Sequence, residues 1–178
     1  MLANQKFSPP QADPSHSGDD PSKATVATRR VLDALERAGV PFSLKLLPDG
    51  VRTPEQIAEC CDGDVRLIVQ SMIYRGKATK KPFLLLHSAT SKLNDRNIGA
   101  MVGENLQRAD ADFAARLTGY TAEAIPPLAH LNRVPVMLDD ALLRFARVWC
   151  PAGSVGAIVS IPTLVLARVV SARIVDLT

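Results

Sequence analysis

The sequence predicts a single α+β domain, a mixed β-sheet with helices packed around it. Strand-like and helix-like patterns are interspersed along the chain with short connections. Residues 66–87 read as a β-hairpin. The 178 residues, 47% of them hydrophobic, are enough for one sizeable core. No apolar run approaches the roughly 20 residues that span a bilayer. The first residues, Met1 to Lys6, lack the apolar core of a signal peptide. A cytoplasmic protein with no membrane partner is therefore expected.

Each element has its own signal. Residues 1–22 are rich in Pro, Ser, Asp and Gln and have no apolar period, which predicts a disordered tail ahead of a domain spanning 23–178. Val31, Leu32, Leu35 and Ala38 recur at helical spacing from Thr25 to Ala38, with Gly39 as a stop. Pro41 to Leu47 reads as a strand. Thr53-Pro54-Glu55-Gln56 combines an N-cap hydroxyl, a first-turn proline and a capping-box glutamine, opening a helix that ends near Cys61. Arg66–Arg75 and Pro82–His87 form the hairpin around a turn at Gly76–Lys81. Asn94 caps a helix to Val102, ended by Gly103. A short strand spans Leu106–Ala109, and Asp110 caps a helix to Leu117. Beyond a long loop come a strand at Val134–Leu138, a short helix from Asp140, and strands near Val148 and Ala157–Ile161. A last helix starts at Pro162-Thr163 and runs to about Val170, before a closing strand at Arg173–Asp176. No internal repeat is present.

Three cysteines cannot form a complete set of internal disulfides, and no CxxC or Cys/His spacing suggests zinc. Cys60, Cys61 and Cys150 read as buried structural thiols of a reducing compartment. No phosphate-binding glycine loop or nucleotide motif appears, so no cofactor and no metal are expected. The net charge of +3 divides into −2 on residues 1–22 and +5 on the rest, an excess that permits an RNA partner without demanding one.

The stretch Thr118 to His130 is the most informative. Pro126 and Pro127 fix φ near −65° and push Ile125 into an extended conformation, so the loop is rigid. Rigid loops with exposed backbone N–H groups are common places for a site, although a stiffened connector has the same local pattern.

Val69-Gln70-Ser71-Met72-Ile73-Tyr74-Arg75-Gly76, this loop, and Val136-Met137-Leu138-Asp139 follow one another in the order and spacing of a single family. From roughly Thr28 to Asp176 the chain resembles the YbaK-type aminoacyl-tRNA deacylases, relatives of the editing domain inserted in bacterial prolyl-tRNA synthetases. The resemblance implies a curved mixed sheet flanked by helices. It also implies hydrolysis of the ester joining an amino acid to the 3′ end of tRNA. Members usually carry a lysine where this chain has Gln70, glycines where it has Glu123 and Ala124, and a further glycine at Ala129.

Such an ester is already activated, so positioning water and stabilising an oxyanion suffice. The residues matching that task are Gln70, Ser71, Glu123, Ala124, Ile125, Pro126, Pro127 and His130. Ser71 is either a site hydroxyl or a plain strand residue. Glu123 either acts as a base for water or reshapes the approach, its charge opposing an oxyanion. His130 is either folded towards the cleft or structural, and His87 has the weaker claim. Arg75, Lys77, Lys80 and Lys81 surround the hairpin turn and either contact phosphates or are simply solvated. Arg29, Arg30 and Arg133 are candidates to extend that patch, and Tyr120 is a candidate substrate contact.

The leading expectation is a free-standing editing hydrolase acting on mischarged tRNA, with alanine or cysteine on tRNA(Pro) as the implied substrate and a synthetase as a further partner. The alternatives are a catalytically weakened module that binds tRNA or a synthetase, and an enzyme for another acyl ester. The sequence leaves the oligomeric state open.

Overall fold

The computed structural model describes residues 19–178, and the expected tail lies outside the described residues except for its last four. Those four already belong to the fold. The Asp19 N–H donates to the Leu44 carbonyl at 2.8 Å, and its carboxylate accepts from the Leu46 N–H at 2.7 Å.

Helix α1 covers Val26–Arg37, with Thr25 accepting the Thr28 N–H as N-cap. Strand β1 is Ser43–Leu46, shorter than its apolar run. Helix α2, Pro54–Glu59, starts with the complete capping box that Thr53 and Gln56 promise, and Cys60 ends it. Strand β2 spans Val69–Gly76 rather than beginning at Arg66. The reason is Asp64, whose carboxylate accepts both the Arg66 N–H and its guanidinium at 2.7–3.1 Å, curling Val65–Leu67 into a 3-10 turn. Strand β3, Pro82–Ser88, pairs antiparallel with β2 as the hairpin requires.

Helix α3 (Asp95–Val102) and helix α4 (Ala111–Thr118) carry the expected Asn94 and Asp110 caps, and each ends on a left-handed glycine, Gly103 and Gly119. Strand β4 is Leu106–Arg108 and β5 is Val136–Asp139. A 3-10 turn at Asp140–Arg144 follows, then β6 (Arg147–Pro151), β7 (Ala157–Pro162), α5 (Thr163–Val169) and β8 (Arg173–Val175).

The strands form two sheets. Five run in the order β4-β2-β3-β5-β8, antiparallel through the hairpin and parallel from β3 to β5 to β8. Three run antiparallel in the order β1-β7-β6. A parallel bridge between Ile68 and Trp149 joins them, so the mixed sheet has a seam just before β2.

Strand β3 is the centre. Leu84, Leu85 and Leu86 are all fully buried, as expected of a strand covered on both faces. Leu84 and Leu86 enter the main core with Val31, Leu35, Leu44, Val159 and Ile161. Leu85 faces a second cluster with Tyr74, Ile98, Met137 and Leu177, beneath α3.

The β6–β7 turn is gripped hard. Gly153 has φ +89°, and a Cβ there would lie 2.8 Å from Tyr120 Cε1 and 2.9 Å from the Ala27 carbonyl. Both the left-handed backbone and the backbone contact oppose a side chain. Gly153→Ala is expected to cost roughly 1–3 kcal/mol of stability. Urea unfolding would show this as a lowered midpoint, and an unchanged midpoint would mean that α1 and the turn separate freely.

Candidate functional site

The start of β2 opens beside the seam. Gln70 and Ser71 line a cavity of about 300 Å³ with Arg52, Met72, Arg108 and Glu123. Ser71 is buried, and its Oγ has no hydrogen-bond partner among the described residues. A buried hydroxyl without a partner is uncommon, because desolvation is then uncompensated. Ser71 lines the cavity, but its Oγ is itself shielded and lies on the strand face shared with Val69 and Ile73, so it meets a ligand only after a change of rotamer.

An apolar cavity of about 520 Å³ adjoins the first, lined by Leu47, Val51, Trp149, Val155 and Ile158 among others. Arg52, Ile57, Ile68, Val69, Glu123 and Pro151 belong to both. The Trp149 indole N–H donates to the Asp62 carboxylate at 2.7 Å, which holds the ring in that wall. The site is thus a two-part cleft at the seam between the sheets.

The 118–130 loop meets this cleft only through its leading edge. Ala122 and Glu123 line it, whereas Ala124, Ile125, Pro126 and Pro127 are buried, with Ile125 in the main core. The expected exposed backbone beside the prolines is therefore not found. The Ala124 N–H donates to the Thr121 carbonyl at 2.9 Å, and the Ala124 carbonyl accepts the Gly153 N–H at 3.1 Å. The N–H groups of Ala122 and Glu123 make no hydrogen bond within the described protein.

Tyr120, a candidate substrate contact, does not line the cleft. It is buried, its hydroxyl donates to the Ala129 carbonyl at 3.0 Å and accepts from Arg30 Nε at 2.8 Å, and the Arg30 guanidinium lies 4.3 Å from the ring centre. His130 also turns away from the cleft. Its Nε2 lies 2.7 Å from the Pro126 carbonyl, its ring meets Tyr120 edge-on at 6.4 Å, and it borders a separate cavity with Pro127 and Val170. Ala129 supports this arrangement at φ +67°, a conformation that the family's glycine would adopt more easily.

The basic residues divide. The Arg75 guanidinium stacks 4.0 Å from the Phe113 ring centre. Lys77, Lys80 and Lys81 are exposed at the far end of the hairpin, about 20 Å along β2 from Gln70. Glu104, which the sequence pattern does not single out, holds that turn by accepting the Ala78 and Thr79 N–H groups at 2.8 and 3.0 Å and the Thr79 hydroxyl. These bonds hold its carboxyl below the usual range. The cations at the cleft are instead Arg52 and Arg108, which sequence reasoning missed because they lie in separate elements without a shared motif.

His87 is buried opposite Gln70, with Nδ1 2.8 Å from the Ser88 carbonyl. Cys150 is buried, and burial raises its thiol pKa. Carboxylate oxygens of Asp139, Asp140 and Asp176 lie within 4.8 Å of one another. Asp139 already accepts the Ser91 hydroxyl at 2.9 Å and the Leu177 N–H at 3.4 Å, tying the C-terminal segment to β5. Among the described residues no helix is long and apolar enough to cross a membrane.

Comparison with known proteins places this geometry. Residues 48–169 match the aminoacyl-tRNA editing domain family. A crystal structure of a candidate trans-editing enzyme for prolyl-tRNA synthetase superposes with a TM-score of 0.82 at 29% identity, covering 88% of this chain and 99% of that one. A structure from work on computational epitope grafting onto scaffold proteins matches with a TM-score of 0.82 at 31% identity, over 87% and 99% of the two chains. A hypothetical protein at 21% identity, with a TM-score of 0.77 over 83% and 97%, shares the fold.

The two histidines generate a pH prediction. Burial lowers the pKa of both His87 and His130, while each carbonyl contact works the other way. A folded-state value below the ordinary 6.5 means that the unfolded chain binds protons first as pH falls. Their stabilising contribution is complete above about pH 6.5 and declines below it, until the lowered folded-state values are passed. The urea midpoint is expected to drop between pH 7.5 and pH 5.5. His130→Gln keeps a donor but cannot charge, and it should shrink that drop. An identical pH dependence in the variant would remove His130 from the account.

Proposed function

Because the chain belongs to the aminoacyl-tRNA editing domain family, we propose that it is a free-standing hydrolase that removes a wrongly attached amino acid from tRNA. The observation that carries this reading is the meeting of Gln70, the unpartnered Ser71 hydroxyl and the Ala122–Glu123 edge at one cavity beside an apolar one. Water adds to the ester carbonyl carbon, and the resulting tetrahedral oxyanion collapses by breaking the bond to the ribose oxygen. The proton from water ends on that oxygen, giving a free amino acid and a free tRNA end. Ser71 Oγ is the proposed contact for the water or the carbonyl, once its rotamer turns to the cavity. The uncommitted N–H groups of Ala122 and Glu123 are donors for the oxyanion. Gln70 takes the place of the family's lysine and donates without a charge.

The proposed substrate is a small amino acid such as alanine or cysteine on tRNA(Pro), and the proposed setting is the cytoplasm. Arg52 and Arg108 suit the phosphates next to the ester, while the hairpin lysines suit contacts farther along the RNA. A synthetase is a further proposed partner. Glu123 supports a second reading: its exposed carboxylate in the cavity wall suits a module with weakened hydrolysis, or an enzyme for another acyl ester.

Deacylation of alanyl-, cysteinyl- and prolyl-tRNA(Pro) tests the proposal. The parent is expected to clear at least one mischarged tRNA, and Ser71→Ala to slow it about tenfold or more. Gln70→Lys should lower KM by about fivefold, since charge-assisted hydrogen bonds are the stronger kind. Silence from the parent together with gain in Gln70→Lys would favour the second reading.

A further inference from the structure

Glu123 stands where the family usually has glycine, and its surroundings suggest what a carboxylate does there. It belongs to the wall common to the apolar and polar cavities. Its backbone is held from the next residue, where the Ala124 N–H and carbonyl are both engaged, to Thr121 and Gly153. The side chain itself is exposed. Arg52 lines both cavities and Arg108 the polar one, yet among the described residues neither is ion-paired with Glu123. An unpaired carboxylate thus sits between an apolar chamber and the Gln70–Ser71 donors.

The α-carbon of an aminoacyl ester carries three groups of matching chemistry: a side chain, an ammonium and an ester carbonyl. With an apolar side chain in the chamber lined by Val51, Trp149 and Ile158 and the carbonyl on the Ser71 side, the ammonium is left to meet the shared wall, where Glu123 is the one carboxylate and Arg52 the one cation among the lining residues. We infer that Glu123 binds the α-ammonium of the substrate and selects aminoacyl esters with a free amine over N-acylated ones. The inference rests on the aminoacyl-ester substrate proposed above. It also reconciles the carboxylate with hydrolysis. Paired with an ammonium, the carboxylate carries a neutralised charge beside the carbonyl and no longer repels a developing oxyanion as a bare one does.

Equilibrium binding of a non-hydrolysable probe separates the possibilities. The probe is 3′-amino-3′-deoxyadenosine carrying L-alanine through an amide, with its α-amine either free or N-acetylated, titrated calorimetrically at pH 6.5. The parent is expected to bind the free-amine form about fivefold more tightly, the size of a favourable, partly exposed charge pair. Glu123→Gln should bind both forms equally while unfolding at the parent's urea midpoint, and added salt should narrow the parent's preference. Equal binding of the two forms by the parent, or a preference that survives in Glu123→Gln, overturns the inference and leaves the hydrolase reading standing. Binding of neither form overturns both.

Discussion

A buried loop has to satisfy its own backbone polar groups, and the way residues 118–130 do so determines the site. Tyr120 is the anchor. Its hydroxyl accepts from Arg30 on α1 and donates to Ala129 near the far end of the loop, while Thr118 Oγ1 accepts the Tyr120 N–H. The Gly153 N–H completes the dock by reaching the Ala124 carbonyl, and Thr28 Oγ1 meets Ser154 Oγ at 2.6 Å beside it. Helix α1, the loop and the β6–β7 turn therefore form one packed unit. The prolines lie in its interior, and Ala122–Glu123 is the edge left to face the cleft.

That division gives the cleft its chemistry. One side is the apolar seam between two sheets, closed by Trp149 and its bond to Asp62. The other is the beginning of a strand whose Ser71 hydroxyl has no hydrogen-bond partner among the described residues. An activated ester asks for orientation, exclusion of bulk water and a few fixed dipoles rather than a strong nucleophile. In the proposed reaction the cleft would supply these through its apolar wall and the Ala122–Glu123 edge, with two exposed arginines, Arg52 lining both cavities and Arg108 the polar one. Gln70 and Glu123 shift the local charge away from the family's usual lysine and glycine. The cations lining the cleft are Arg52 and Arg108.

Much of the fold was legible in the amino-acid order. Thr53 and Gln56 form the capping box, Asn94 and Asp110 cap their helices, and Gly103 and Gly119 end them in the left-handed region. The missed boundary at Arg66 has an equally local cause, since Asp64 captures the Arg66 N–H and defers the strand to Val69. The site was legible in part. Gln70, Ser71 and Glu123 meet as the motif order suggested, whereas Tyr120 and His130 brace the loop and the hairpin lysines stand apart. Arg52 and Arg108 had no sequence signal, because each is an ordinary surface arginine until the fold brings it to the cavity.

Sequence by itself determined where the capped helices begin, and where Gly103 and Gly119 end two of them, because caps, prolines and glycines act on neighbours within about four residues. It also determined the family, through the order of three hydrophobic stretches. Only the tertiary structure decided which way the central loop faces, since its direction depends on a bond between Arg30 and Tyr120, 90 residues apart. The same holds for the apolar chamber. Its walls come from α2, β2, β6, β7 and the segments that follow β1 and β6, and no local pattern states that they leave a space where the two sheets meet.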